Sequence, residues 1–64
     1  MIGTIKTLKA MYGFIAPKQV GPDVFFNAKE LVGITFEELH IDDCLTYDLG
    51  ETLNGVQAVN VQRA

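Results

Sequence analysis

Three aromatic residues in the first half of the chain lie in two short segments that alternate like β-strands. The segments read AMYGFIA from residue 10 and DVFFNA from residue 23. Successive side chains of a strand point to opposite faces, so Tyr12 and Phe14 share one face of the first segment. In the second segment, Phe25 points away from Val24 and Phe26. We expect Val24 and Phe26 inside the protein, and Tyr12, Phe14 and Phe25 outside it.

An exposed aromatic cluster on so small a protein favours a binding surface, because such patches usually mark a site of interaction. Lys6 and Lys9 lie just before the first aromatic segment. Aromatic faces beside lysines suit unpaired nucleobases, which stack on the rings while the lysines meet phosphate. Two alternatives stay open: the rings could cover the sheet or contact another protein, and the lysines could be solvated charges on a strand.

Strand signals are spread along the whole chain and leave little room for helix. Strands are expected in GTIKTLK, YGFIAP and VFFN, over roughly residues 44 to 50, and in VQAVNV. AKELVG suggests one short helical turn, and FEELHIDDCL a long irregular connection. The predicted fold is all-β, a single five-stranded antiparallel barrel over residues 1–64. Its expected core consists of Ile5, Ile15, Val24, Phe26, Leu45, Val59 and Val61.

Composition excludes several classes of protein. With Cys44 as the only cysteine, an internal disulfide and a cysteine zinc site are both excluded, and we expect Cys44 in the core. The chain has no serine and a single histidine, and its glycines fit no phosphate loop, so no catalytic residue, enzyme activity or cofactor is expected. The acidic residues from Glu37 to Asp43 lack a calcium-loop pattern, so no metal site is expected. The first 15 residues have no apolar signal core, which favours a cytoplasmic protein without a membrane partner.

Charge is divided unevenly between the two halves of the chain. Residues 1–30 carry four lysines against Asp23 and Glu30, whereas residues 31–64 carry only Arg63 against six acidic residues. The halves therefore have charges of +2 and −5, which give the net charge of −3. Nucleic-acid binding by such a protein should depend more on stacking than on counterion release, and should respond weakly to salt.

These segments, taken together, resemble the bacterial cold-shock domain. GTIK, YGFIAP, DVFFNAKEL, LTYDL and GVQAVNV follow the order and nearly the spacing of that family over almost the whole chain. YGFI is similar to the first of the family's two ribonucleoprotein-like motifs, and DVFFN to the second. The resemblance implies an OB-fold barrel that binds single-stranded RNA or DNA.

The resemblance also implies roles for individual residues. Tyr12, Phe14 and Phe25 resemble the family's central stacking rings, and Phe36 resembles a fourth ring supplied by the long connection. Lys6 resembles the first-strand lysine that meets the nucleic-acid backbone. Asp23 matches the acidic residue that leads the second motif.

Several positions depart from the family pattern. The family's exposed tryptophan is replaced by Thr7, and the first loop is shorter, with Lys9 as the sole candidate for its missing lysine. Asn27 replaces a histidine and can still hydrogen-bond a base edge, but Ala28 replaces the aromatic residue that follows. Each base stacked on a ring contributes ~1–3 kcal/mol, so these losses should weaken binding by several kcal/mol unless other groups compensate.

Two functions are therefore compared. The first is a single-stranded RNA- or DNA-binding protein that acts as an RNA chaperone or regulator. The second is a divergent cold-shock-like domain whose aromatic surface serves protein contact or self-association. The missing tryptophan and the acidic net charge are consistent with the second.

Overall fold

The protein folds into five strands and two 3₁₀ helices, as described for residues 1–64 by a computed structural model. The strands are β1 (Ile2–Lys9), β2 (Tyr12–Pro17), β3 (Val24–Asn27), β4 (Cys44–Thr52) and β5 (Gly55–Arg63). The 3₁₀ helices, Ala28–Glu30 and Phe36–Glu38, lie in the connection between β3 and β4. All five predicted strands, the short helical turn and the irregular connection are confirmed. The structure contains no helix with the length and hydrophobicity that crossing a bilayer requires.

The strands form a closed barrel in the order β1-β2-β3-β5-β4, which confirms the predicted fold class. Four of the five neighbouring pairs are antiparallel, and the β3–β5 pair is parallel. A closed ring with an odd number of strands cannot alternate direction throughout, so one parallel pair is unavoidable. That pair aligns Phe26 with Ala58 at the seam of the barrel.

A bulge in β1 determines which side chains of that strand face outward. Ile5 pairs with Ile15, but the next pair is Thr7 with Phe14, so Lys6 is an extra residue. A bulge of this kind bends the strand and shifts its alternation by one residue. Lys6 is therefore exposed, and Thr7 lies on the outer surface beside Phe14.

The core agrees largely with the sequence prediction. Phe26, Ile5, Ile15, Leu45 and Val61 are fully buried, as expected. Leu39, Tyr47 and Ala58 join them, although none of the three was predicted. Burial of the Tyr47 hydroxyl raises its pKa. Val24 packs against this core from the end of the barrel and is only half-buried.

The prediction that Val59 lies in the core is wrong because of a second bulge. Thr46 pairs with Gln62 and Asp48 with Val59, so β5 has one more residue than β4 in this interval. Asn60 absorbs the extra residue with a left-handed backbone, φ 52°. Inward positions on β5 are therefore Ala58 and Val61, and the half-buried Val59 lies over Gly50 on the outer surface.

The prediction that Cys44 is a core residue is also wrong. Cys44 is the first residue of β4 and is exposed, and its cross-strand partner Thr4 is exposed as well. The next residue, Leu45, is the one that enters the core. A strand has one inward residue out of every two, and here the larger apolar side chain occupies the inward position.

The second 3₁₀ helix begins with a side-chain cap. The carboxylate of Glu38 accepts hydrogen bonds from the Thr35 backbone N–H at 2.8 Å and from the Thr35 hydroxyl at 3.1 Å. These bonds hold the pKa of Glu38 below the ordinary value of 4.5. They fix the turn from which Leu39 enters the core.

Candidate nucleic-acid interface

Tyr12, Phe14 and Phe25 form one continuous aromatic surface, which we call the aromatic face. Phe14 and Phe25 are direct cross-strand partners, and their ring centroids lie 5.7 Å apart at an interplanar angle of 70°. The Tyr12 ring lies 5.6 Å from Phe25 at an angle of 34°. All three side chains are half-buried. The expectation that β2 and β3 bring these rings together on the outer surface agrees with their register, and Phe25 is the central ring.

A glycine behind the rings allows β2 and β3 to pack closely around Phe26. Gly13 separates Tyr12 from Phe14 and faces inward, paired with Phe26. A methyl group at Gly13 would clash with the Thr7 carbonyl oxygen and the Phe26 ring. The buried ring therefore lies directly beneath the strand that carries two of the three outer rings, which gives the aromatic face a rigid support.

Lys6 and Asp23 form an ion pair that the sequence did not predict. Lys6 Nζ lies 3.3 Å from Asp23 Oδ2, and both side chains are in contact with solvent. Lys6 is the extra residue of the β1 bulge, and Asp23 directly precedes β3. A pair this accessible contributes ~0–1 kcal/mol to stability, so Lys6 can exchange Asp23 for another anion at small cost.

Two neighbouring rows of cross-strand partners run over β1, β2 and β3. One row consists of Lys9, Tyr12 and Asn27, and the other of Thr7, Phe14 and Phe25. Lys9 pairs with Tyr12, and Tyr12 with Asn27. The loop between β1 and β2 is only two residues long, and its second residue, Met11, has a left-handed backbone with φ 63°. The expectation of a tight first hairpin is confirmed, and Lys9 is exposed at the edge of the aromatic face.

Asn27 has a structural task beside its candidate role in binding. Its Oδ1 atom accepts a hydrogen bond of 3.0 Å from the Lys29 backbone N–H and so caps the first 3₁₀ helix. An asparagine is well suited to this position because its short side chain reaches the orphan amides of a helix start. The remaining amide group, Nδ2, is left to donate to a ligand.

Phe36 is set apart from the other candidate rings. It begins the second 3₁₀ helix, is half-buried and packs against the barrel core. The two aromatic pairs of the structure join Tyr12 and Phe14 to Phe25 and do not include Phe36. A stacking role for Phe36 therefore rests on its partly exposed ring alone.

Two further groups lie beside the aromatic face, and the second of them was missed at the level of sequence. Thr7 is the direct cross-strand partner of Phe14. A shallow pocket of ≈ 330 Å³ opens beside Phe25 and is lined by Asn54 of the β4–β5 turn and by Gly55, Val56 and Gln57 at the start of β5. In the sequence, the amide side chains of Asn54 and Gln57 in the segment LNGVQ were the one indication of this pocket. Their position next to Phe25 depends on the parallel pairing of β3 with β5, which the sequence does not predict. No cluster of three His, Cys, Asp or Glu side chains suited to a metal ion is present.

Comparison with known proteins identifies the family. The family model described as the 'Cold-shock' DNA-binding domain matches residues 1–64. The major cold shock protein of Micrococcus luteus is 36% identical over 64 residues, which covers 97% of this chain and 96% of that protein. The probable cold shock protein A of Mycobacterium tuberculosis is 34% identical over 62 residues, or 94% of this chain and 92% of that protein.

Similarity in structure agrees with similarity in sequence. The solved structure described as drosophila Unr CSD456 superimposes with a TM-score of 0.83 at 25% identity. The match covers 98% of this chain and 26% of that longer chain. Proteins of the cold-shock domain family generally bind nucleic acid. The barrel, the two aromatic motifs and the full-length family match together show that this chain belongs to the cold-shock domain family.

Proposed function

We propose that this protein binds single-stranded RNA or DNA through the aromatic face, with unpaired bases stacked on Tyr12, Phe14 and Phe25. The observation that carries this proposal is the contact of both other rings with the central Phe25, at 5.6 and 5.7 Å. Neighbouring rings on a rigid sheet offer successive bases a platform, and stacking is tolerant of base identity.

The charged and polar groups around the rings suit the rest of a nucleotide. Lys6 and Lys9 stand beside the aromatic face and would meet phosphate oxygens. Asp23 positions Lys6 and must release it in part when a phosphate approaches. Asn27 would donate to a base edge through its free amide group, and Phe36 would contact the strand where it leaves the three rings.

Binding of this kind is suited to keeping strands unpaired. A surface that stacks bases without reading all their edges holds many sequences with modest affinity, which fits an RNA chaperone or a regulator acting on cytoplasmic RNA. The net charge of −3 disfavours strong nonspecific attraction to polyanions. Affinity should therefore come mainly from the rings, and its dependence on salt should be shallow.

The test compares a single strand with the duplex of the same sequence. Fluorescence anisotropy of a labelled oligopyrimidine strand should rise on titration with the protein. The affinity for the duplex should be lower by a factor of about ten or more, because its bases are stacked and paired. Equal affinity for both forms would show that the rings are not used. Normal strand binding together with disruption of a dimer in Phe25→Ala would favour a protein-contact role for the aromatic face.

A further inference from the structure

A second surface lies at the end of the barrel, where the β4–β5 hairpin extends past the core. A groove of ≈ 310 Å³ opens there between the hairpin and the segment that joins β2 to β3. Leu49 is the cross-strand partner of buried Ala58, and Val56 lies two residues before Ala58 on the same face. The side chains of Leu49 and Val56 therefore lie on the inward face of the hairpin, beyond the end of the packed core.

The groove concentrates the exposed apolar surface of the protein. Four of the nine exposed large hydrophobic residues line it: Met1, Val20, Leu49 and Val56. Val20 is fully exposed, and Val56 and Leu49 are 59% and 48% exposed. Single apolar side chains on a surface are ordinary, but a contiguous group that lines a concave site indicates a contact surface.

Charges at the groove have opposite signs at its two ends. An adjoining hollow, which shares Met1, Pro17 and Tyr47 with the groove, is lined by the exposed Lys18. On the hairpin lies the exposed Glu51, the cross-strand partner of Val56, whereas Asp23 lines the groove but is paired with Lys6. The surface is thus basic at one end, apolar in the middle and acidic at the other end.

We propose that this groove is a self-association surface, on which a second copy of the same chain docks around a two-fold axis. In a two-fold contact the same patch meets itself, so its middle must be compatible with itself and its ends complementary to each other. Here aliphatic side chains meet aliphatic side chains, and the Lys18 end of one copy faces the Glu51 end of the other. The charge arrangement is what selects a second copy as the occupant.

The size of the surface predicts a weak dimer. A standard protein interface takes about 800 Å² from each partner. That area is roughly a fifth of the 4230 Å² accessible surface of this small protein. The groove and its rim offer less than this, so self-association should be transient and detectable only at high protein concentration.

The groove and the aromatic face adjoin at Asp23 and Val56, but their centres lie on opposite faces of β3. Val24 and Phe25 are consecutive residues of β3, and their side chains point to opposite faces of the strand. Val24 lines the groove, while Phe25 is the centre of the aromatic face. A dimer formed through the groove would therefore present two aromatic faces to one nucleic-acid strand or to two.

Sedimentation equilibrium of the full chain over about 10 µM to 1 mM tests the proposal in the range of weak dimers. We expect a monomer–dimer equilibrium that Leu49→Gln weakens about tenfold or more, because Leu49 lines the groove and not the pocket beside Phe25. Val32→Gln is the matched control, because Val32 is similarly exposed, at 49%, but does not line the groove. Strict monomer behaviour at the highest concentration, or equal effects of the two substitutions, would overturn the proposal.

A charge exchange tests the orientation of the two copies. Lys18→Glu alone should weaken the dimer, and adding Glu51→Lys should restore it, because the exchanged charges again meet across the two-fold axis. Failure of the double variant to recover would contradict the two-fold arrangement. Saturation with a single-stranded oligonucleotide should leave the dimer intact, whereas dissociation would place the contact on the aromatic face and overturn the assignment to the groove.

Discussion

Phe14 and Phe25 are paired directly across β2 and β3, and their rings meet nearly edge to face at 5.7 Å. Aromatic pairs in this geometry contribute ~0.5–1.5 kcal/mol beyond the area they bury. The ladder between the strands fixes both backbones, and the buried Phe26 supports them from the core. The aromatic face is therefore formed in the absence of a ligand, so the stacking of a base would not require the protein to reorganise.

Replacing the central ring should reduce affinity more than replacing a lateral one. Phe25→Ala removes one stacking surface and also the ring against which Tyr12 and Phe14 pack. We expect a loss of ~1–3 kcal/mol in binding to a single strand, with Phe14→Ala at the lower end of that range. Anisotropy titration with one oligopyrimidine measures both variants.

The control for this comparison is Ile41→Ala. Ile41 is exposed and lies in the long connection, outside the aromatic face. Its removal should leave affinity unchanged. Normal binding by the folded Phe25→Ala variant would contradict the stacking role.

The next residue along β3 should behave in the opposite way. Phe26 is fully buried, so Phe26→Ala should lower the free energy of unfolding by ~3–5 kcal/mol. A domain of this size has little stability in reserve, and the variant should be largely unfolded. Urea denaturation followed by circular dichroism measures the change. A Phe25→Ala variant that loses as much stability as Phe26→Ala would show that Phe25 also belongs to the core.

The ion pair at the edge of the aromatic face should restrain binding. Asp23→Asn leaves Lys6 without its partner at 3.3 Å, and the lysine then meets phosphate without competition. We expect tighter binding at low salt and a dependence of log K on log salt steeper by about 0.7, the value for one added contact to a single strand. Titrations at several salt concentrations measure this slope.

Asp48→Asn is the matched control, because it removes the same charge from β4, a strand that pairs with neither β2 nor β3. Asp48 accepts a hydrogen bond from Asn60, which an asparagine can still accept. An equal gain in affinity for the strand in Asp23→Asn and Asp48→Asn would show that the effect comes from net charge. That result would contradict a specific role of the Lys6–Asp23 pair.

Acid should weaken the cap of the second 3₁₀ helix. Because hydrogen bonds from Thr35 hold the pKa of Glu38 below 4.5 in the folded protein, the cap contributes its full stability above that pH. The contribution should be lost as pH falls below 4.5 and through the lower folded-state value. Glu38→Gln should therefore lose less stability than the unaltered protein over this acid range, measured by urea denaturation. Glu37 lies outside the cap, so Glu37→Gln should lose stability with falling pH as the unaltered protein does. The same pH dependence of the free energy of unfolding in all three proteins would show that protonation of Glu38 does not weaken the cap.

The alternation of apolar side chains was sufficient to predict the barrel and most of its core. Period-two patterns place Ile15 and Phe26 inward and Phe14 and Phe25 outward, and the structure has this arrangement. The prediction fails where the period is broken. The bulge at Asn60 moves Val59 to the outer surface, and no feature of VQAVNV distinguishes a bulged strand from a regular one.

The direction of each side chain along its own strand was predictable from the sequence, whereas contacts between residues of different strands were less so. Tyr12, Phe14 and Phe25 follow from local alternation, and their closeness follows from one short hairpin-like pairing. The pairing of Lys6 with Asp23 depends on the β1 bulge, which shifts Lys6 relative to its neighbours. Such a contact depends on a bulge, an extra residue in one strand that a two-residue alternation does not reveal.

The most direct test of the account is the map of the binding surface on the isotope-labelled protein. Amide chemical shifts are followed while a short unlabelled oligopyrimidine strand is added. We expect the largest changes at Tyr12, Phe14 and Phe25, smaller ones at Lys6 and Lys9, and none along the groove at Leu49 and Val20. Changes confined to the groove, or no change at an excess of the strand, would contradict the claim that the aromatic face binds nucleic acid.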